Sequence, residues 1–309
     1  MIYDVIVVGA GLAGCSAAIQ LAQEGWNVLL LEQQRYPTHK LCGEFLSVEV
    51  IANFSRLGVL EAVEQAGAKP IHHTRVTTSA GATFEQDLPG TALGLSRYQL
   101  DLLLFQRART VGATCFDGMP VRSIDGDFKT GFLVNTNQES FQGRAVLAAY
   151  GKRSALDTQL SRAFAQRPSP WVAFKAHCTG VDLSGMIELH AFPGGYCGLS
   201  AIETGQVNLC WIGHRKILHE SDDQNLPKAL NMNPMLRERL ACLRYDHAQK
   251  HRLRQISFAL KGNFDGDICM VGDTAGMITP LGGDGMATAL RTAGIVVPLV
   301  GDFLRGELS

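Results

Sequence analysis

The stretch Tyr3-Asp4-Val5-Ile6-Val7-Val8-Gly9-Ala10-Gly11-Leu12-Ala13-Gly14 decides the fold. Its first half is a short apolar run rich in β-branched residues, the composition of a buried parallel strand. It passes through three glycines into Cys15-Ser16-Ala17-Ala18-Ile19-Gln20-Leu21-Ala22, a good helix former. A second apolar run, Asn27-Val28-Leu29-Leu30-Leu31, ends at Glu32. Strand, glycine turn, helix, strand and terminal acid, in that order, form a βαβ dinucleotide fingerprint. Gly9 permits the tight turn, Gly11 lets a pyrophosphate approach the backbone, and Gly14 lets helix and strand pack closely. Phosphates then sit at the helix N-terminus beside Ala13, where free N–H groups and the helix dipole favour negative charge. Glu32 is placed to accept hydrogen bonds from an adenosine ribose.

The 309 residues allow one large or two interlocked domains. With 28 basic and 29 acidic side chains, nothing points to a nucleic-acid surface. The fingerprint begins two residues after Met1, which leaves no room for a signal peptide. No stretch reads as approaching the ~20 apolar residues of a membrane span. Eight cysteines are scattered without a CxxC pair or a metal-ligand spacing, as expected of reduced thiols in a cytoplasmic protein with no metal site.

After Glu32, residues 33–47 read as a loop, with Arg35 placed to reach phosphates or adenine, or simply solvated. Ser47 is expected to cap a helix from Val48 to Leu57, followed by a shorter helix from Leu60 to Gln65. From Ile71 to Gly90 the pattern alternates about a turn at Gly81, as in a hairpin leaving the first domain. Ser96-Arg97-Tyr98-Gln99-Leu100-Asp101 opens a helix with Leu100, Leu103, Leu104 and Ala108 on one face. Strands follow to Ala149, then Gly151-Lys152-Arg153-Ser154. Residues 171–212 are strand after strand, an antiparallel sheet better suited to a second domain. A polar helical stretch is expected from Pro227 to Tyr245. The last module repeats the nucleotide theme. Residues 267–273 are an apolar strand ending at Gly272-Asp273, and a glycine-rich loop then leads to a helix from Met286 to Phe303. A second helix N-terminus aimed at a second part of the ligand is what FAD needs and an NAD-only enzyme does not.

Three segments together, GAGLAG with Glu32, SRYQLD, and VGDTAGMITPLGGDGMATAL, resemble the FAD-binding modules of the para-hydroxybenzoate hydroxylase fold. KLCGEFLS and AFPGGYCGLSAIETGQVNLC resemble its geranylgeranyl-reductase-like branch. The resemblance covers nearly the whole chain. It implies an α/β protein, a three-layer ββα FAD-binding (Rossmann-like) domain with an inserted antiparallel β-sheet substrate domain. The expected FAD domain is discontinuous, 1–70, 96–165 and 262–309; residues 71–95 and 166–261 form the cap. The resemblance further implies that Asp273 meets a ribityl hydroxyl and that Pro280 lies beside the flavin ring. It implies that the amides from Gly282 and Gly283 through Gly285 to Met286 face the pyrimidine and pyrophosphate. It puts Arg97 close to the FAD and the Val121 backbone at the adenine. Plainer alternatives stand beside these: Asp273 as a strand-end cap, Arg97 as a salt-bridge partner.

Two departures matter. Where many relatives carry an arginine shortly before the cysteine motif, this chain has Thr38-His39. Where the hydroxylases carry an Asp-Gly pair, it has Ala149-Tyr150-Gly151, without an acid, which argues against a conventional NADPH-driven hydroxylase. Halogenation ranks low, because Trp26, Trp171 and Trp211 form no tryptophan-rich motif.

A flavin carries its own redox chemistry, so no triad is required. Cys42 is the candidate catalytic residue, a weak acid able to protonate a reduced double bond, with a small packing role as its alternative. Tyr196 and His190 on the inserted sheet are candidate substrate contacts, His190 equally a buried hydrogen-bonded core residue. The leading expectation is an FAD-dependent oxidoreductase reducing C=C bonds of a small hydrophobic, prenyl or polyketide-like substrate. A flavin monooxygenase acting on an aromatic or polyene, and a flavin-binding protein active only with a partner, are the alternatives. No second GxGxxG appears, so electrons come either from transiently bound NAD(P)H or from a reductase partner protein.

Overall fold

The computed structural model describes residues 1–219, 226–245 and 251–308. In chain order β1 (Ile2–Val8), α1 (Leu12–Gln23) and β2 (Val28–Leu31) come first. Next are β3 (Phe45–Leu46), α2 (Val50–Leu57), α3 (Leu60–Gln65) and the hairpin β4 (Lys69–Thr77) and β5 (Thr83–Gly94). Then follow α4 (Arg97–Thr110), β6 (Thr114–Phe116), β7 (Val121–Asp127), β8 (Gly131–Thr136), β9 (Ser140–Ala148) and α5 (Ala155–Gln159). The middle holds β10 (Trp171–Thr179), β11 (Met186–Phe192), β12 (Gly195–Ala201), β13 (Val207–His214), α6 (Pro234–Cys242), β14 (Arg244–Tyr245) and β15 (His251–Ile256). The chain closes with β16 (Phe264–Asp265), β17 (Ile268–Met270) and α7 (Gly285–Arg305).

Two sheets organise these elements. The first has the order β16-β17-β9-β1-β2-β6, with β7 and β8 attached through β9. Its centre is parallel, β1 lying between β2 and β9. All of β2 and most of β1 are buried, which is why their sequences are unbroken apolar runs rather than alternations. α1 and α7 pack against each other in the main core. The fingerprint glycines let β1, α1 and the end of β9 converge. A Cβ on Gly14 would lie 1.8 Å from the Gly9 carbonyl oxygen, and one on Gly9 2.4 Å from that of Ala149. No other residue type fits either position.

The second sheet has the order β14-β10-β13-β12-β11-β4-β5-β3, with β15 on the free part of β10. It is antiparallel except where β11 joins β4, because the early hairpin is built in from outside the run β10–β13. Alternation along β11 divides its side chains. Ile187 and Leu189 join an apolar cluster with Ile71, Ala92, Phe45 and Leu88. Glu188 and His190 turn the other way, where Glu188 takes Arg75 and Arg239 and His190 meets Thr77.

Four local expectations are revised. Ser47 does not cap α2, whose N-cap is Glu49; a turn closed by Val50 N–H on the Ser47 carbonyl intervenes. The cap sheet begins earlier than residue 71, since β3 pairs Phe45 with Gly94 and β4 starts at Lys69. The polar stretch after Pro227 is a 3₁₀ turn (Lys228–Met232) followed by α6 rather than one helix. Finally, α7 is 21 residues and, by length and composition alone, long and apolar enough to cross a membrane. Its Met286, Leu290, Ala293, Val297 and Leu304 side chains are nonetheless buried in the core shared with α1.

Candidate functional site

The two sheets and the N-termini of α1, α4 and α7 enclose one cavity of about 300 Å³. Sequence-distant segments meet there. Gly11 and Ala13 come from the first turn of α1, Cys42 from the loop before β3, and Arg97 from the start of α4. Asp273, Pro280, Gly282, Gly283, Gly285 and Met286 come from the last module. Tyr196 enters from β12, beside Cys210 and Trp211 of β13.

The helix ends are suited to an anion. The first N–H groups of a helix have no intrahelical acceptor. A Cβ on Gly11 would meet only Arg97 Nη2, at 3.8 Å, and one on Gly285 nothing within 4 Å. Open backbone at two helix N-termini, with a guanidinium above one of them, fits the two ends of a dinucleotide. Gly283 has φ +78, and a Cβ there would strike the Phe45 ring at 2.8 Å, so glycine keeps this turn close to the cap.

Arg97 is fixed by a bidentate pair with Asp101, Nε at 2.6 Å and Nη2 at 2.8 Å. Asp101 is fully buried and also takes Lys40 Nζ at 3.1 Å. Burial alone would raise the Asp101 pKa, but the two cations hold it below the usual carboxylate range. Glu32 accepts from Ala10 N–H at 2.9 Å and Gln34 N–H at 3.1 Å, closing the fingerprint turn on itself. The Tyr36 hydroxyl donates to the Ala10 carbonyl from the same side.

Cys42 is held on three sides. Asn208 Nδ2 donates to its carbonyl at 3.0 Å and Glu44 N–H to its Sγ at 3.4 Å. The thiol itself lies 3.6 Å from Met286 Sδ, in the first turn of α7. Glu44 has φ +55, rare for a residue with a Cβ, and its carboxylate turns away from the cavity into a fully buried cluster. There it accepts from Arg97 N–H at 2.7 Å, from Lys175 Nζ, and lies 2.7 Å from His177 Nε2. Burial raises the Glu44 pKa, but His177 and Lys175 overcompensate and the net shift is downward. His39 meets the His177 ring of this cluster edge to face, and burial and then the Lys175 charge lower its pKa to about 4.

Several expected site residues are not in the cavity wall. Gly9, Gly14 and Gly272 shape the backbone behind it; a Cβ on Gly272 would meet Ala13 Cβ at 2.8 Å. Glu32 is buried behind the first turn, Arg35 is exposed, and Val121, the first residue of β7, is not among the lining residues. His190 is fully buried on the far face of β11, 2.7 Å from Thr77 Oγ1 and 3.3 Å from Glu188 Oε2. It is a core residue. Conversely, Lys40, Glu44, Asp101, Lys152 and Lys175 had not been singled out. Only the Arg97…Asp101 spacing of four on one helix face carried a signal for any of them.

The menaquinone reductase of Mycolicibacterium smegmatis is 25% identical over 96% of this chain and 76% of its own length. Digeranylgeranylglycerophospholipid reductase 2 of Methanopyrus kandleri is 26% identical over 96% and 77%. The myxobacterial chondrochloren halogenase, an FAD-dependent enzyme, superposes with a TM-score of 0.87 over 100% of this chain and 76% of its own, at 20% identity. That last likeness is one of fold. Matched over residues 2–308, the chain belongs to the FAD binding domain family and is an FAD-dependent enzyme of the para-hydroxybenzoate hydroxylase and halogenase fold.

Proposed function

We propose that this enzyme uses FAD to saturate a C=C bond in a hydrophobic substrate, prenyl or polyketide-like, with Cys42 as proton donor. The observation that carries the reading is the Cys42 thiol in the wall of a cavity lined by both polar and apolar groups. Arg97, Asp273 and the N-terminal turns of α1 and α7 supply polar contacts. Phe45, Leu88, Ile187 and Leu189, which share one apolar cluster of the second sheet, contribute apolar lining. An apolar tail gains from burial there at about 25 cal/mol per Å². The names of two relatives, both reductases of isoprenoid lipids, point the same way.

On this reading Gly11, Ala13 and Arg97 receive the pyrophosphate, Glu32 the ribose, and Arg35 and the Val121 backbone flank the adenine. Asp273 takes a ribityl hydroxyl, while Pro280 and the amides from Gly282 to Met286 border the ring. When bound, the flavin supplies the two-electron chemistry. The chain's own work is to hold it, to keep water from the apolar lining, and to deliver a proton from Cys42 Sγ. Tyr196 contacts the substrate. Electrons arrive from NAD(P)H or a reductase protein.

The test is product mass. Incubated anaerobically with a chemically reduced holoenzyme, a prenyl or polyketide-like alkene substrate should gain two mass units per turnover. A product formed only with oxygen and heavier by sixteen would establish monooxygenation instead.

A further inference from the structure

Two basic side chains line the cavity, Arg97 and Lys152. They differ in one respect. Arg97 is paired with Asp101, Lys40 lies between Asp101 and Glu32, and Lys175 is paired with Glu44. Lys152 has no carboxylate within ion-pair distance among the described residues. Its Nζ donates once, to the Leu41 carbonyl at 2.9 Å, and an ammonium carries three N–H donors. That bond pins the cation to the residue before Cys42. At the other end, Lys261 Nζ donates to the Lys152 carbonyl at 2.7 Å and to the Asp273 carbonyl at 2.8 Å, fixing where the side chain starts. Lys152 therefore spans from the backbone of one cavity residue, Asp273, to the loop of another, Cys42. A half-buried ammonium with one N–H bonded and no carboxylate within ion-pair distance has donors left for a ligand oxygen at the cavity wall.

We propose that Lys152 binds a carbonyl oxygen of the substrate, so that the reducible C=C bond is one conjugated to that carbonyl, as in an enone or quinone-like ring. This inference rests on the reductase reading and narrows its substrate class. The β-carbon would receive the hydride that bound FAD, once reduced by the electron donor, supplies. The C=C electron pair moves to the α-carbon and carbonyl, leaving enolate charge on the oxygen at Lys152. The α-carbon then takes the proton of Cys42, and the saturated carbonyl compound leaves with one hydride, which carries both electrons, and one proton added. Cys42 recovers its proton from solvent. Stabilising charge that develops during the reaction is what a preorganised cation does best.

The probe is 4-chlorophenol, whose phenolate imitates the enolate. It is titrated into FAD-loaded protein across the pH range of its ionisation and followed by the flavin spectrum. Wild type and Lys152→Arg should bind the phenolate at least about tenfold more tightly than Lys152→Met does, the scale of a hydrogen bond to a charged group. Bound phenol should accordingly ionise at lower pH in the first two proteins. FAD affinity should be the same in all three. In unmodified protein, 4-chlorophenol should likewise outbind 4-chlorotoluene about tenfold, a comparison that needs no variant. Equal affinity for those two compounds, an unchanged ionisation in Lys152→Met, or a tenfold loss of FAD affinity in that variant would each overturn the assignment. Neither measurement involves turnover. Phenolate binding through Lys152 without alkene reduction would defeat the reductase reading alone, and alkene reduction without it would defeat only this inference.

Discussion

At the scale of single residues, the fingerprint glycines have separable jobs. Gly11→Val adds two methyls at open backbone facing the cavity, where φ is an ordinary −72°. The variant should fold with near-normal thermal stability and bind no FAD; a yellow Gly11→Val protein would remove the first turn of α1 from the cofactor site. Gly14→Ala should instead fail to fold, since its Cβ would lie 1.8 Å from backbone. For Asp273, loss of a ribityl hydrogen bond in Asp273→Ala should cost about 1.5–3 kcal/mol, one to two decades in FAD affinity. An unchanged dissociation constant by fluorescence titration would reduce Asp273 to a cap on the turn after β17. The GAGLAG run and Asp273 were legible because each is local: a strand, a turn and a helix read off consecutive residues. Glu44 was not. It sits in the quoted Cys42-Gly43-Glu44, yet only its left-handed backbone, φ +55, sends the carboxylate away from Cys42. Its partners stand 53 to 133 positions along the chain, in α4 and β10.

At the scale of elements, the start of α4 is fastened from both sides. Ser96 Oγ accepts from Gln99 N–H at 3.2 Å, as an N-cap does, and donates to Glu203 Oε1 at 2.5 Å. Ser96 N–H reaches the other Glu203 oxygen at 2.8 Å, which ties the helix bearing Arg97 to the cap sheet. Ser96→Ala should destabilise by about 1–2 kcal/mol in urea unfolding, the usual worth of such a cap. A change below a few tenths would show that the Ser96 N–H bond to the Glu203 carboxylate suffices. The Glu44–Lys175 pair clamps the Cys42 loop to β10 at zero exposure for both side chains. Glu44→Gln leaves Lys175 buried without its carboxylate and should cost about 3–5 kcal/mol. The hairpin of β4 and β5 was readable from its β-branched residues about the Gly81 turn, although the start of β5 is exposed on both faces. The short β3 was not, because two residues carry no period.

At the scale of the molecule, the outer face of the cap should set acid stability. Burial raises the Glu188 pKa, but His190 and Arg239 outweigh it and bring it to about 2. Its unfolded value is ~4.3, so the unfolded chain binds the proton first as pH falls. The stabilisation is therefore fully present above that unfolded value and is lost as the pH drops towards about 2. Urea unfolding of wild type should weaken through this window, and Glu188→Gln should show a flatter fall from a lower starting stability. Parallel curves for the two proteins would take Glu188 out of the linkage. The layered α/β plan was legible from the order of its modules, since a βαβ start and a glycine loop before a final helix admit few arrangements. The pairing of β11 with β4 was not, because it joins strands more than a hundred residues apart and leaves no local trace.

The central claim joins these scales: the cavity is a reductive site in which Cys42 gives up a proton. Anaerobic stopped flow on the reduced holoenzyme separates its two half-reactions. The account predicts that an alkene substrate restores the oxidised flavin spectrum without oxygen. It predicts that Cys42→Ala, with normal FAD content and normal reduction by the donor, slows that step about 10²–10⁴-fold, the worth of a positioned acid. Cys42→Ser should be slowed as well, because a hydroxyl is a far weaker acid than a thiol. Reoxidation of Cys42→Ala by the alkene at the wild-type rate would contradict the account.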